Sequence, residues 1–176
     1  MEMLSTERLT LRRFQPEDWR DLYEYLSDPE VVRFEPYEVF TEEQAKKEAI
    51  RRTADASFYA VCLRESGKLI GNLYLGKGNF DTWELGYVFN RKYQGRGFAF
   101  ESASALIDYA FEQLNARRII AMCSTENVRS WRLLDRLGLR REGLLIQNVC
   151  FKTNIHGEPI WLDTYEYAIL KSEWQK

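Results

Sequence analysis

Gln94-Gly95-Arg96-Gly97-Phe98-Ala99 is the stretch on which the reading of this chain turns. A strand-like segment, Trp83-Glu84-Leu85-Gly86-Tyr87-Val88-Phe89, runs just before it, and a long helical pattern follows. Strand, short glycine loop and helix start together form a site for an anion. The glycines let backbone N–H groups close around phosphate oxygens, and the helix dipole favours negative charge at that end. Arg96 adds a cation beside the loop. A phosphate-bearing ligand is expected, and its identity depends on the surroundings.

Three phosphate arrangements compete for such a loop. A P-loop ends in Gly-Lys-Ser or Gly-Lys-Thr, and no such ending occurs here. A dinucleotide fingerprint places a third glycine or an alanine at position 100, where this chain has Phe100. That fingerprint also opens a βαβ unit, whereas here the loop follows a run of hairpins. Coenzyme A is the third possibility.

The hairpins are read from local pattern. The segments Phe58 to Leu63 and Leu69 to Leu75 flank Glu65-Ser66-Gly67-Lys68, which predicts a hairpin with a glycine turn. Gly76-Lys77-Gly78-Asn79 then leads into a strand over 82–89. Upstream, Thr6 to Phe14 alternates and reads as a first strand. Asp18 starts a helix carrying Trp19, Leu22, Tyr23 and Leu26, which Pro29 stops. Thr41-Glu42-Glu43-Gln44 fits a capping box that opens a polar helix to about Arg52. Downstream of the loop, Ala99, Ala103, Leu106, Ile107, Ala110 and Leu114 recur at helical spacing, with Glu101, Asp108 and Glu112 expected to face water. Arg117 to Cys123 reads as an inner strand. Asn127 opens a last helix, which Gly138 ends as a left-handed cap. Leu139 to Phe151 and Ile160 to Leu170 read as closing strands joined by the turn-rich segment 153–159.

Composition narrows the class. A length of 176 residues suggests one domain over 1–176, and the 45% hydrophobic fraction supplies its core. A net charge of -2 argues against nucleic acid, whose partners carry a basic face. No apolar run approaches the roughly 18 residues of a membrane span, and Met1-Glu2-Met3-Leu4-Ser5 has no basic-then-apolar signal pattern. Cys62, Cys123 and Cys150 are odd in number and form no C-x-x-C pair, so neither zinc nor a disulfide framework is expected. His156 is the only histidine and sits in a turn, so no metal site is expected. A reducing cytoplasm is the simplest setting.

Gln94-Gly95-Arg96-Gly97-Phe98-Ala99 resembles the Q/R-x-x-G-x-G/A signature of the GNAT acetyltransferase superfamily. Glu84-Leu85-Gly86-Tyr87 lies one strand earlier, as in many members, and Asn127-Val128-Arg129-Ser130 leads to Leu137-Gly138-Leu139 at the family's distance. The opening Thr6 to Arg12, and the ending Asp163 to Ala168 with Glu173-Trp174, look like the ribosomal-protein-alanine N-acetyltransferase branch. The resemblance covers nearly the whole chain. It implies an α/β (α+β) GNAT fold: a mixed, mostly antiparallel sheet of about seven strands, helices on both faces, and a central parallel pair that splays apart. It implies acetyl-CoA as cosubstrate, with the loop Gln94, Gly95, Arg96, Gly97, Phe98 and Ala99 holding the pyrophosphate on backbone N–H groups from Arg96 to Ala99. The pantetheine arm would lie along the backbone of Tyr87, Val88 and Phe89, with Asn127 reaching the same arm. The partner would be an amine acceptor, either a protein N-terminus or a small molecule, and the assembly a monomer or homodimer.

Amine acetylation sets further demands. An ammonium must lose a proton before it attacks, the leaving thiolate must be stabilised, and the thioester oxygen needs a donor. Resemblance supplies that donor from the backbone near Val88. Glu84 alternates away from Trp83, Leu85 and Tyr87 and is the candidate base, acting through water; its plain alternative is a strand carboxylate facing solvent. Many family members carry a tyrosine acid four residues before the helix-ending glycine, where this chain has Leu134. Ser130 is the candidate substitute, as in the branch this chain resembles. Trp19, Tyr23, Phe34 and Tyr37 are candidates to line an acceptor pocket, and Glu35 to meet an acceptor ammonium. Cys123 ends an apolar strand and reads as core. The alternative to an N-acetyltransferase is a catalytically silent CoA-binding regulatory module of the same fold.

Overall fold

Apolar residues at alternating positions assemble into one eight-stranded sheet. The structure is a computed structural model and describes residues 4–174. In chain order the elements are β1 (Leu4–Ser5), β2 (Leu9–Arg12), α1 (Trp19–Leu26), α2 (Glu42–Ala54), β3 (Phe58–Leu63), β4 (Leu69–Lys77), β5 (Thr82–Phe89), α3 (Phe98–Glu112), β6 (Arg118–Ser124), α4 (Val128–Arg136), β7 (Arg140–Thr153) and β8 (Pro159–Leu170). The strand order is β1-β2-β3-β4-β5-β6-β8-β7. Every neighbouring pair is antiparallel except β5 with β6. The first strand expected over 6–14 is interrupted, because the Thr6 hydroxyl accepts from Leu9 N (3.0 Å) and turns the chain. The strand therefore begins at Leu9, and β1 folds back beside it as the eighth strand.

Helices cover both faces. On one, Leu106, Ile107 and Phe111 of α3 and Leu134 of α4 are buried with Leu73, Leu85 and Ile119. On the other, Leu22, Tyr25 and Leu26 of α1 and Ala49 of α2 join Phe14, Val32 and Ala60. β5 serves both layers: Leu85 and Phe89 belong to the first cluster, while Val88 packs against the second.

The helix signals explain where each helix starts. Thr41 accepts from Gln44 N (3.2 Å), and Gln44 Oε1 accepts from Thr41 N (2.8 Å), completing the capping box of α2. α3 begins without any side-chain cap, forgoing about 1 kcal/mol. Burial of Leu106, Ile107 and Phe111 outweighs that loss, at about 1.5–3 kcal/mol each. Two residues of α3 expected to face water do not. Glu101 turns toward β2, accepting from Thr6 Oγ1 (2.5 Å) and Arg8 N (2.9 Å), and Asp108 accepts from Trp174 Nε1 (2.7 Å).

An ion-pair network ties α1 to the strands beneath it. Glu24 accepts from Lys68 Nζ (2.7 Å) and Lys92 Nζ (2.8 Å), and Lys68 also donates to Asp21 (2.7 Å). The two lysines hold the Glu24 carboxyl down at about 2, against an ordinary 4.5. Its contribution to stability is complete above pH 4.5 and is lost as pH falls through 2. Glu24→Gln is expected to lower the midpoint of thermal unfolding by a few degrees at pH 7, reflecting about 1 kcal/mol for a partly exposed pair. The difference from wild type should shrink steeply as melts are taken from pH 4.5 down to pH 2.

Candidate active site

β5 and β6 run side by side only at their starts. Thr82, Trp83 and Glu84 pair with Arg118, Ile119 and Ile120. β5 continues to Phe89 and β6 to Ser124 without further pairing, while β4 and β8 stay on their outer edges. A wedge opens in the middle of the sheet. The ladder determines which backbone groups line it. Gly78 N donates to Thr82 O (2.8 Å) and Asn90 N to Ile70 O (2.9 Å), so even-numbered residues of β5 exchange bonds with β4. Odd-numbered residues turn toward β6, and the bond from Arg117 N to Asp81 O (2.9 Å) agrees.

The Leu85 carbonyl and the backbone groups of Tyr87 and Phe89 therefore face the wedge. Gln94 Nε2 donates to the Phe89 carbonyl (2.9 Å). The rest have no strand to bond, at a place where backbone groups are nearly always paired. This corrects one expectation. The backbone of Val88 is turned onto Asn72 of β4, so it neither lies along the wedge nor offers an oxyanion donor there. The backbones of Tyr87 and Phe89 face the wedge.

The glycine loop closes the mouth of the wedge. Gly95 and Gly97 take φ values of 73° and 83°, a left-handed conformation that suits glycine. The N–H groups of the first turn of α3 remain open, because no side chain caps it. Arg8 braces this loop from β2's approach: Nη1 donates to Arg96 O (3.1 Å), Nε donates to Glu101 (2.7 Å), and the guanidinium lies 4.4 Å from the Phe98 ring centroid. Arg129 Nη1 donates to Gln94 Oε1 (2.6 Å), tying α4 to the loop. Gln94 thus positions the loop through two bonds. Sequence reasoning missed Arg8 and Arg129 as supports, since neither contact is local. Arg96 is exposed and stays beside the loop, stacking on Phe98 at 5.2 Å.

α4 supplies one wall. Asn127 Oδ1 accepts from Ser130 N (3.2 Å), capping the helix as its sequence position suggested. Ser130 is 9% exposed, and its Oγ lies 2.8 Å from the Tyr87 hydroxyl. Tyr87 therefore presents its backbone to the wedge and its phenol to Ser130. Burial pushes the Tyr87 phenol above its ordinary value, and the Ser130 bond opposes that shift. Burial likewise raises the Cys123 thiol, with Ser130 again opposing. Leu134 is fully buried core.

The opposite face carries two carboxylates. Glu84 is exposed and borders a cavity of about 330 Å³ with Tyr74, Gly76, Thr82 and Ile120. Gly76 pairs directly with Glu84, and any Cβ there would strike the Tyr74 hydroxyl. Its bare backbone lets the Tyr74 ring lie beside Glu84. Glu35 is half-buried on the segment 27–41 between α1 and α2. Burial pushes its carboxyl up to about 7, against an opposing hydrogen bond from Tyr37. Trp19 and Tyr37 pack against the α1 cluster, while Tyr37 meets Phe40 edge-on at 5.3 Å. Tyr23 and Phe34 are half-buried outside it. His156 is exposed in the turn joining β7 and β8, remote in sequence from these elements.

Residues 8–140 match the family model of the acetyltransferase (GNAT) domain. The chain belongs to the GNAT acetyltransferase family and is an N-acetyltransferase. It is 42% identical to the uncharacterized N-acetyltransferase YnaD of Bacillus subtilis (strain 168), across 97% of this chain and 98% of that one. The GNAT-family acetyltransferase of Bacillus anthracis, a solved structure, is 35% identical with a TM-score of 0.90, covering 98% and 100%. The [Ribosomal protein uS5]-alanine N-acetyltransferase of Escherichia coli (strain K12) is 31% identical over 80% of this chain and 79% of its own. No helix among the described residues is long and apolar enough to cross a membrane.

Arg8→Ala is expected to loosen the glycine loop. Amide hydrogen exchange over 95–99 should quicken about tenfold, while exchange in β7 and β8 stays unchanged, matching the loss of roughly 1.5 kcal/mol in charged bonds and ring contact.

Proposed function

We propose that this N-acetyltransferase moves an acetyl group from acetyl-CoA to a primary amine by direct attack, with both substrates bound together. The observation that carries the reading is the mid-sheet backbone left without a partner strand from the Leu85 carbonyl through Tyr87 to the Phe89 N–H. An extended arm rich in amides supplies the missing strand there, and the pantetheine of coenzyme A is such an arm. The uncapped start of α3, with Gly95 and Gly97, suits its pyrophosphate. Bound there, acetyl-CoA supplies an activated acetyl group and a thiolate leaving group.

The chain's own residues divide the remaining work. Tyr87 N–H, facing the wedge, is placed to donate to the thioester oxygen. Asn127, whose Oδ1 caps α4, keeps its amide nitrogen for the arm. The Tyr87–Ser130 hydroxyl pair takes the part of the tyrosine acid toward the thiolate, since the family's tyrosine position here is the buried Leu134. Glu84, through water in the cavity it borders, takes the proton that nitrogen sheds as the C–N bond forms. The acceptor is a protein N-terminus or a small amine. Likeness to the ribosomal-protein-alanine enzyme supports the first. A cytoplasmic setting accords with three free cysteines.

Leu134 in place of a tyrosine favours a second reading, a silent CoA-binding module. Thiol release separates the two. Acetyl-CoA incubated with a panel of α-amine peptides and alkyl amines should yield free thiol; tight acetyl-CoA binding with no thiol from any amine would establish the silent module. Glu84→Gln should lower turnover about 100-fold with acetyl-CoA affinity unchanged by calorimetry, and normal turnover would remove Glu84 from the mechanism.

A further inference from the structure

Phe100 stands where a dinucleotide-binding loop carries glycine or alanine. It lies in the first turn of α3, half-buried and packed against the core of that face. Its ring carries a cation: the guanidinium of Arg136, in the last turn of α4, lies 4.1 Å from the ring centroid. A guanidinium laid on a ring keeps the N–H groups at its edge. They form a flat fork that matches two oxygens of a phosphate. Arg136 is exposed, so that fork is open to a ligand.

The charge around Arg136 is unbalanced. Arg129 stands two turns earlier on the same stripe of α4, about 10 Å along the axis. Its Nη1 donates to Gln94 Oε1 (2.6 Å), a neutral acceptor in the glycine loop. Arg96 lies in that loop, over Phe98 at 5.2 Å. The acids nearby serve other cations. Glu101 of α3 pairs with Arg8 (2.7 Å), and Asp135, the one acid of α4, acts on Tyr167 of β8 and Arg141 of β7. Among the described residues no ion pair reaches Arg96, Arg129 or Arg136. Three uncompensated cations therefore run from the glycine loop along α4, in a chain whose net charge is -2. The uncapped, positive end of α3 lies among them. A pyrophosphate on the loop answers Arg96 and leaves the far end of the row, at Arg136, without an anion.

We propose that Arg136, stacked on Phe100 and assisted by Arg129, binds the ribose 3′-phosphate of coenzyme A. That group is a phosphomonoester, one sugar beyond the pyrophosphate, and carries close to two charges at neutral pH. The inference rests on the acetyl-CoA reading above and adds a second phosphate site to it. Arg136 supplies the donors. Phe100 is a positioning residue, because its ring fixes the plane of the guanidinium. The consequence is selectivity for the acyl carrier: coenzyme A esters are preferred over carriers with the same arm and pyrophosphate but no 3′-phosphate.

Calorimetric titration with coenzyme A and with 3′-dephospho-coenzyme A tests this. Wild type should bind coenzyme A about 20-fold tighter than the dephospho form, the worth of charged hydrogen bonds to one phosphate. Arg136→Ala should bind coenzyme A about tenfold more weakly while its affinity for the dephospho form holds, which also shows that the variant is folded. Arg136→Lys and Phe100→Leu should each keep part of the preference. Arg132→Ala removes the same charge from the same helix, but Arg132 leans over Trp131 (5.5 Å), so the full preference should remain. A wild type that binds both ligands equally overturns the proposal. So does an Arg136→Ala variant that weakens both alike, or an equal loss of preference in Arg132→Ala, which would trace the effect to bulk charge. Each of these leaves the acetyl-CoA reading standing. A wild type that binds neither ligand overturns both.

Discussion

The parting of β5 from β6 is the constraint on which the rest depends. Three residues of each strand pair, and the strands then separate inside an otherwise continuous sheet. Open backbone edges are common at the rim of a sheet and costly at its centre. The fold tolerates this one because β4 and β8 hold the outer edges of the two strands along their length. Helices on both faces then clamp the layers, so the wedge is shaped by packing on every side except its mouth.

Position along β5 divides the labour of the site. Residues with odd numbers turn their backbones into the wedge and their side chains toward α3 and α4. Residues with even numbers spend their backbone bonds on β4 and turn their side chains to the α1 face. A two-residue period thus separates the two faces: the Tyr87 side chain turns to Ser130 of α4, and Glu84 lies on the opposite face. A one-residue slip in register would exchange them and bury Glu84 in the core.

Much of this was legible in the residues. Alternation marked the strands, and the Thr41–Gln44 box and Gly138 marked helix ends. Gly95 and Gly97 announced a tight loop at a helix start, and both take positive φ ahead of α3. Four things were not legible, each because it depends on partners distant in sequence. The orientation of the Val88 backbone depends on register with β4. The inward turn of Glu101 and Asp108 depends on Thr6, Arg8 and Trp174, so a helical wheel alone assigns both to solvent. Arg8 as a brace has no local signature, since its targets lie near positions 96 and 101. The Tyr87–Ser130 contact likewise joins a strand and a helix that no spacing rule relates.

Arg8 has one more consequence. It lies near the start of the chain, yet it fastens a loop almost ninety positions later. During synthesis the segment that holds the loop emerges before it and must wait until the residues between them have followed. Contacts of such long range slow folding, because chain entropy is lost before they form. The glycine loop is therefore a late-maturing part of this molecule, and changes near Arg8 act on it from a distance.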